Sequence, residues 1–232
     1  MIFRQLFEPE TSTHTYLLGC SSTHRAVLID PVAGEVDGYE SLLDGLGLRL
    51  IYTLETHVHA DHITGSGILR ERRDSKSVVH RDAGTLCPDL LVTDGVLLQV
   101  GELEITIRHT PGHTPGCVSY VLPGRVFTGD ALLIGGCGRT DFQQGDPGTL
   151  YDSIHQKLFT LPKDTLVYPG HDYQGNTVST IGQEIAKNPR LRHGIDRNHF
   201  IEMMKSLDLP WPRHIHAAVP ANLACGQTED QG

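Results

Sequence analysis

The sequence predicts a mixed α/β fold in one domain that spans residues 1–232. Short apolar runs typical of strands alternate with stretches whose apolar residues recur at helical spacing. Histidines and aspartates repeatedly follow the strand-like runs directly, which indicates a site at the edge of a sheet. A chain of 232 residues is also long enough to bury a full hydrophobic core.

Composition excludes several classes of protein. The formal net charge of −9 argues against a nucleic-acid partner, because such binders concentrate Lys and Arg. No apolar segment approaches the eighteen or so residues of a membrane span, so we expect no membrane contact. Residues 1–8 lack a signal or transit pattern, and we expect a protein that begins at Met1 and is cytoplasmic. The five cysteines contain no C-x-x-C pair and are expected to be reduced thiols.

The first third of the chain predicts an antiparallel meander followed by helices around a central strand. Strands are expected at residues 2–7, 15–18 and 26–29. Leucines at helical spacing predict a helix between Tyr39 and Leu50, and residues 50–54 form the central strand. A second helix is expected at residues 63–73, in which Gly65 and Gly67 indicate tight packing.

The rest of the chain predicts hairpins and then helices. Strands are expected at residues 78–80, 96–100, 103–107, 117–122, 125–128 and 165–168. Helices are expected at residues 147–159, 178–188 and 197–207. We expect residues 210–232 to be irregular, with a polar tail.

The densest group of titratable residues is H-V-H-A-D-H, residues 57–62, directly behind the central strand. In an extended segment His57 and His59 point to one side, while Val58 points back to the core. Asp61 is a good N-cap type and is expected where the next helix begins. The pattern predicts a metal chelate; the plainer interpretation is a polar loop with chance histidines.

Three further candidate ligands follow strands later in the chain. His113 lies in H-T-P-G-H-T-P-G-C, where prolines and glycines hold it on a rigid double turn. Asp130 follows a strand and Thr-Gly, and His171 follows the strand that ends in Y-P-G. An incidental loop histidine and a plain Asx turn are the alternatives, and His109 is expected to be exposed. The fourteen histidines of the chain point to a metal before any motif is considered.

The order of these residues, H-x-H-x-D-H followed by His113, Asp130 and His171, resembles the two-metal site of the metallo-β-lactamase superfamily. The resemblance covers essentially the whole chain. It implies an α/β, or α+β, metallo-β-lactamase fold, a four-layered αββα sandwich of two mixed sheets flanked by helices. The site would lie at one edge of that sandwich.

Longer strings are similar to the persulfide dioxygenases, the sulfur dioxygenases of the ethylmalonic encephalopathy protein type. These strings are E-T-H-V-H-A-D-H-I-T-G-S-G, H-T-P-G-H-T-P-G-C, F-T-G-D-A-L-L-I-G-G-C-G-R-T-D-F-Q and Y-P-G-H-D-Y. The resemblance implies one non-haem Fe(II) per chain, held by His57, His113 and Asp130. It also implies that glutathione persulfide is oxidised by O₂ and water to sulfite and glutathione, in sulfide and sulfane-sulfur metabolism. By the same resemblance, the catalytic residues that surround the ligands are His59, Asp61, His62 and His171. Among them, Asp61 and His62 are expected to manage protons and to orient the ligands.

Contacts to the glutathione part of the substrate are predicted at Arg139 and Tyr173. An arginine fork suits a carboxylate, and Tyr173 follows the H-D-Y motif as a comparable tyrosine does in glyoxalase II. Arg139 could instead pair with Asp141, and Tyr173 could simply pack. Cys137 is expected to be a small apolar filler, and a homodimer is expected.

Two other functions are alternatives for this sequence. A glyoxalase II-like hydrolase of glutathione thioesters would use the same ligands for two metals and a bridging hydroxide. Such hydrolases carry a helical substrate-binding domain after the last ligand, whereas only about sixty residues follow His171. A non-catalytic scaffold of this fold would be marked by lost ligands, and none is missing.

Overall fold

Twelve strands form two six-stranded sheets in the computed structural model, which describes residues 1–212 and 214–226. The first sheet contains, from edge to edge, β1 (Ile2–Glu8), β2 (Thr13–Gly19), β3 (Arg25–Ile29), β4 (Arg49–Leu54), β5 (Lys76–His80) and β6 (Leu90–Val92). The second contains, in the same sense, β7 (Leu97–Val100), β8 (Leu103–His109), β9 (Val118–Leu122), β10 (Arg125–Gly129), β11 (Leu166–Pro169) and β12 (Ser179–Thr180). The helices are α1 (Val36–Gly45), α2 (Ser66–Arg73), α3 (Pro147–Ser153), α4 (Ile181–Lys187), α5 (Arg197–Lys205) and α6 (Ile215–Leu223).

Both sheets are mixed. β1, β2 and β3 pair antiparallel, as the meander prediction requires, and β3 to β6 then pair parallel. In the second sheet only β10 and β11 are parallel. Parallel neighbours need a crossover connection, and α1, α2 and α3 lie in the connections β3–β4, β4–β5 and β10–β11.

Four layers result from the burial of apolar side chains on both faces of each sheet. Tyr16 of the first sheet and Phe127 of the second pack in the core between the sheets, with ring centroids 4.8 Å apart. Leu69 of α2 belongs to a core on the outer face of the first sheet, and Phe200 of α5 belongs to a core on the outer face of the second. The predicted αββα sandwich of two mixed sheets flanked by helices is therefore confirmed.

The predicted ligands come from both sheets and meet where the sheets touch. His57 follows β4 of the first sheet, whereas His113, Asp130 and His171 follow β8, β10 and β11 of the second. The sheets are joined here by a backbone hydrogen bond from Val118 N to the carbonyl oxygen that precedes His57, at 2.8 Å. Small displacements of one sheet against the other would therefore change the site.

Two helix predictions are wrong at their ends. The first helix spans Val36–Gly45, and Leu50 lies in β4, because Gly47 takes a φ of +63° and turns the chain into the strand. The second helix begins at Ser66 with Gly65 as its N-cap, so Asp61 is not an N-cap. The carboxylate of Asp61 is used by neighbouring histidines instead, as described below. The tight packing predicted at Gly65 and Gly67 is confirmed, since a Cβ at Gly67 would come within 2.5 Å of a backbone oxygen.

The expectations for the C-terminal region and for the cysteines are partly wrong. α6 occupies residues predicted to be irregular, and the polar tail beyond residue 226 lies outside the described residues. Cys87 and Cys225 form a disulfide across 138 positions of the chain, whereas Cys20, Cys117 and Cys137 are buried thiols. None of the described helices combines the length and the apolar character needed to cross a bilayer.

Candidate metal centre

His57, His113 and Asp130 form the first cluster of potential ligands. Each offers one ligand atom, and these atoms lie within 4.8 Å of one another. His113 Nε2 is 3.8 Å from Asp130 Oδ2, and the rings of His57 and His113 are nearly perpendicular with centroids 4.8 Å apart. All three residues lie at the floor of one cleft.

His57 is oriented by a hydroxyl and a buried carboxylate. The Thr56 hydroxyl donates to Asp30 Oδ2 at 2.8 Å, so it accepts from His57 Nδ1–H at 3.0 Å. This hydrogen bond leaves the Nε2 lone pair of His57 for a metal. Asp30 is held by Thr56 N as well, at 2.7 Å, and has a φ of +51°, a conformation that few non-glycine residues adopt.

His113 is oriented by a backbone carbonyl. Its Nδ1–H donates to Arg139 O at 2.7 Å, which leaves Nε2 for a metal. Gly138 lies against the ring, and a Cβ there would come within 3.0 Å of it. The glycine-rich loop at residues 135–138 thus contacts the His113 imidazole.

The double turn that carries His113 is as rigid as its prolines and glycines predict. Gly112 has a φ of +133°, and a Cβ there would overlap the backbone of Leu150. His109 is half-buried rather than exposed, and its Nε2 donates to Pro115 O at 2.7 Å. His109 therefore holds the turn through the backbone of Pro115.

Asp130 is oriented by His171. His171 Nδ1 donates to Asp130 Oδ1 at 2.7 Å and leaves Oδ2 for a metal, while its Nε2 donates to Asp61 Oδ2 at 2.9 Å. Burial raises the pKa of Asp130, but His171 outweighs it and holds this pKa well below its usual range. Burial lowers the pKa of His57 well below normal, with His59 and His113 acting in the same direction. An ionised carboxylate and neutral imidazoles are the forms that bind metals.

His59, Asp61 and His62 form a second cluster, whose ligand atoms also lie within 4.8 Å of one another. The rings of His57 and His59 are 4.0 Å apart while Val58 is buried, which confirms that the two imidazoles lie on one side. Asp61 Oδ2 accepts from His62 Nδ1 at 2.9 Å, in addition to His171.

In the second cluster, His59 lies beside two carboxylates of the protein. His59 Nε2 lies 3.1 Å from Asp30 Oδ1 and 3.5 Å from Glu55 Oε2. Burial lowers the pKa of His59, but the Asp30 carboxylate outweighs it and raises this pKa to about 10. Among the described residues, His62 Nε2 has no hydrogen-bond partner.

The donor set of the first cluster fits a metal ion. Within the described residues, His57 Nε2, His113 Nε2 and Asp130 Oδ2 accept no hydrogen bond, whereas the other polar atom of each side chain is held by a partner. Two imidazole nitrogens and one carboxylate oxygen are borderline-to-hard donors that suit first-row transition metals.

Removing the Thr56 hydroxyl tests this arrangement. Thr56→Val keeps the shape of the side chain but leaves His57 Nδ1–H without its acceptor, so we expect metal affinity to fall about 10- to 100-fold. Thr53→Val is the matched control, because Thr53 is buried in β4, three residues before Thr56, and its hydroxyl has no partner among the described residues. Competition with a chelator measures both affinities; equal values for the two variants would contradict the role given to Thr56.

The cleft above the ligands has a volume of about 810 Å³, within the range of small-molecule sites. Tyr173 lines it with 73% of its surface exposed, and its ring is parallel to that of His171 at 6.1 Å. Tyr173 is thus available at the cleft and not simply packed. Cys137 is buried beside Met204, as expected of an apolar filler, and burial raises the pKa of its thiol to about 11.

Arg139 lines the cleft, but its guanidinium is hydrogen-bonded to other groups of the protein. It makes two hydrogen bonds of 2.7 Å to Asp141 and donates to Pro210 O at 2.7 Å. Its guanidinium also lies over the Phe142 ring, 4.2 Å from the centroid. The pairing with Asp141 that the sequence left open is therefore present.

Arg190 is a cleft residue that sequence analysis missed. Its Nη1 donates to Cys137 O at 3.2 Å, and no described carboxylate lies within ion-pair distance of it. Trp211 was also missed; it is 64% exposed at the cleft and meets the Phe142 ring edge-on at 4.6 Å. Neither residue belongs to a motif, and only the fold brings them to the ligands.

Comparisons with known proteins agree with this geometry. The family model described as metallo-beta-lactamase superfamily matches residues 9–171. The chain is 51% identical over 229 residues to "Persulfide dioxygenase ETHE1, mitochondrial" of Homo sapiens, covering 97% of this chain and 89% of that protein. The crystal structure of ETHE1 from Myxococcus xanthus superposes with a TM-score of 0.96 at 53% identity, covering 98% of this chain and all of that one.

A more distant solved structure bears on the number of metals. TTHA1623 in a di-iron-bound form has a TM-score of 0.69 and 28% identity, covering 82% of this chain and 99% of that one. The described residues of the present chain contain four groups of His, Asp and Glu that could hold a metal, and the two clusters described above are two of them.

Proposed function

We infer that this chain, which belongs to the metallo-beta-lactamase superfamily and within it to the persulfide dioxygenases, oxidises glutathione persulfide at a single Fe(II) ion. One persulfide, one dioxygen and one water give one glutathione, one sulfite and two protons. The observation that carries this inference is the 51% identity over 97% of the chain to a named persulfide dioxygenase. The three-donor cluster supports it independently.

His57, His113 and Asp130 would hold the metal. When bound, Fe(II) with unfilled coordination positions would supply the one-electron redox chemistry that lets dioxygen react with the persulfide sulfur, which is the net electron donor; Zn²⁺ cannot do this. The protein keeps one donor atom of each residue available by binding the other through Thr56, Arg139 O and His171. Such partners fix both the orientation and the basicity of a ligand.

The cleft supplies the binding energy for the organic part of the substrate. Glutathione persulfide carries two carboxylates, and a buried or half-buried carboxylate needs a cation that is not already neutralised. Arg139 is neutralised by Asp141, whereas Arg190 lacks a carboxylate partner among the described residues. We therefore assign Arg190 as the main carboxylate contact and keep Tyr173 and Arg139 as predicted neighbours of the glutathione moiety.

His171 and Asp61 would organise the water and the protons. His171 bridges the Asp130 and Asp61 carboxylates, so a shift of either carboxylate would be transmitted to the other. Asp61 lines the cleft, and its Oδ2 accepts from His62, His171 and the Thr13 hydroxyl. Its Oδ1 is left to accept from the water that the reaction consumes.

The second cluster bears on the glyoxalase II-like alternative. The unpartnered His62 Nε2 and the di-iron-bound relative favour a second metal. A binuclear site of this superfamily would also use His171, but both ring nitrogens of His171 are bound to carboxylates. His59 Nε2 lies within ion-pair distance of Asp30 and Glu55, although neither ring nitrogen of His59 has a hydrogen-bond partner among the described residues. We therefore propose one metal, in the first cluster.

Metal content and oxygen uptake test the function together. Protein produced with ample iron should contain about one iron per chain, consume O₂ only when glutathione persulfide is added, and release sulfite. Glutathione thioester is the control substrate and should not be cleaved. Two metals per chain, thioester cleavage and no oxygen uptake would replace the dioxygenase by the hydrolase.

The homodimer and the cytoplasmic location predicted from the sequence remain predictions. Sedimentation velocity of the purified chain tests the first, since a dimer doubles the mass of 25.5 kDa.

A further inference from the structure

Helix α6 is hydrogen-bonded to the backbone of the ligand loop, residues 57–64. Asn222 of α6 is buried, and its side-chain amide donates to His59 O at 2.9 Å and His62 O at 2.8 Å. Its Oδ1 accepts from Thr64 N at 2.8 Å. All the hydrogen bonds recorded for this side chain therefore go to the loop that begins with His57.

The Cys87–Cys225 disulfide anchors the end of this helix. It joins Cys225, three residues beyond Asn222, to the segment that follows β5. Next to it, Leu86 N donates to Leu223 O at 2.8 Å. The backbone of Cys225 is also packed directly on α2, since a Cβ at Gly67 would come within 2.5 Å of Cys225 O.

We propose that the Cys87–Cys225 disulfide is a redox-sensitive brace that keeps Asn222, a positioning residue, on the ligand loop. With the bond intact, α6 is covalently fixed one turn beyond Asn222, and the loop backbone keeps three hydrogen bonds. With the bond reduced, α6 is held by its noncovalent contacts alone, so the loop that carries His57 opens more often. This inference rests on the metal ligands proposed above.

A thiol is the reductant that the chemistry requires. A thiolate attacks the sulfur of Cys87, which is half-buried, and displaces the thiolate of Cys225, which is buried. A second thiolate attacks the mixed disulfide, and two protons complete the two cysteine thiols. The thiol is oxidised to its disulfide as the protein disulfide is reduced. Glutathione, the product of the proposed reaction, is a thiol of this class.

The test compares three forms of the iron-loaded full chain: oxidised, reduced with a phosphine, and Cys87→Ser. One readout is the rate at which a ferrous chelator removes the metal. The other is hydrogen exchange of the Thr64 amide, whose acceptor is Asn222, against that of Val118, whose acceptor is Thr56 O. Cys20→Ser, a variant of a cysteine that is not bonded, is the matched control.

We expect iron release and Thr64 exchange to be several-fold faster in the reduced protein and in Cys87→Ser, with Val118 exchange unchanged. Cys20→Ser should behave as wild type in both redox states, and Asn222→Ala should be fast in both. Equal rates in all forms would overturn the proposal, as would free Cys87 and Cys225 thiols in the oxidised protein. A parallel rise in Val118 exchange would also overturn it, because it would show global loosening. Absence of iron from the oxidised wild type would instead contradict the proposed metal site, while Thr64 exchange would still test the brace.

Discussion

Replacing Asp130 by alanine should abolish both iron binding and persulfide-dependent oxygen uptake. The change removes one of three donors and also leaves the buried His171 Nδ1–H without its acceptor. The loss should exceed the roughly 10- to 100-fold effect of removing a residue that only orients a ligand. Metal analysis of the purified variant and an oxygen electrode measure the two quantities.

Two variants make the Asp130 result interpretable. Asp130→Asn keeps the shape and the hydrogen bond from His171 but turns an amide NH2, which has no lone pair to offer, toward the metal, so it should lose iron as Asp130→Ala does while His171 keeps its acceptor. Asp152→Ala removes a carboxylate that pairs with Arg197 on the surface and should change neither quantity. Full iron and full rate in Asp130→Ala would remove Asp130 from the ligands.

Replacing Arg190 by methionine should raise the KM for glutathione persulfide about 10- to 100-fold with little change in kcat. A hydrogen bond to a charged group contributes about 1.5–3 kcal/mol, and about 1.4 kcal/mol corresponds to a tenfold change. A rise in KM alone is expected because the carboxylate is remote from the reacting sulfur and is bound equally in ground and transition states. Steady-state oxygen uptake at varied persulfide gives both constants.

The control for Arg190 uses both the protein and the substrate. Arg49→Met, at an exposed arginine whose nearest carboxylate is 3.9 Å away, should leave KM unchanged. Esterified glutathione persulfide lacks the carboxylates, so wild type and Arg190→Met should use it with similar KM. If the KM values of wild type and Arg190→Met differ on the ester as much as on the free acid, Arg190 acts through packing. If Arg190→Met leaves the KM for the free acid unchanged, Arg190 is not part of the substrate site.

The strands and the ligand motifs could be predicted because their signals are local. Val126 and Phe127 of β10, for example, lie in an apolar run whose hairpin partner, β9, precedes it through Pro123-Gly124, and both are fully buried. His57 and Asp130 stand directly after such runs. A residue that follows a strand is delivered to the sheet edge by the strand itself, so spacing along the chain was enough.

The features that escaped prediction depend on contacts between distant segments. α6 contains Pro220, which in sequence normally ends a helix, and packing of Ala218 and Ala221 compensates in the fold. The Cys87–Cys225 bond spans 138 positions, and no spacing rule points to it. Arg139 lies in one of the motifs that carry the family resemblance, whereas Arg190 lies in none and reaches the cleft only through the fold.

With the proposed ligands drawn from both sheets, the metal would hold the two sheets together in addition to taking part in the reaction. His57 belongs to one half of the sandwich and Asp130 to the other, so the ion binds the assembled pair and neither half alone. Anything bound only by the native state adds its binding free energy to the free energy of unfolding, about 2.7 kcal/mol at a hundredfold excess over Kd. Iron starvation would thus reduce the lifetime of the protein in the cell, because chains that open more often are degraded sooner.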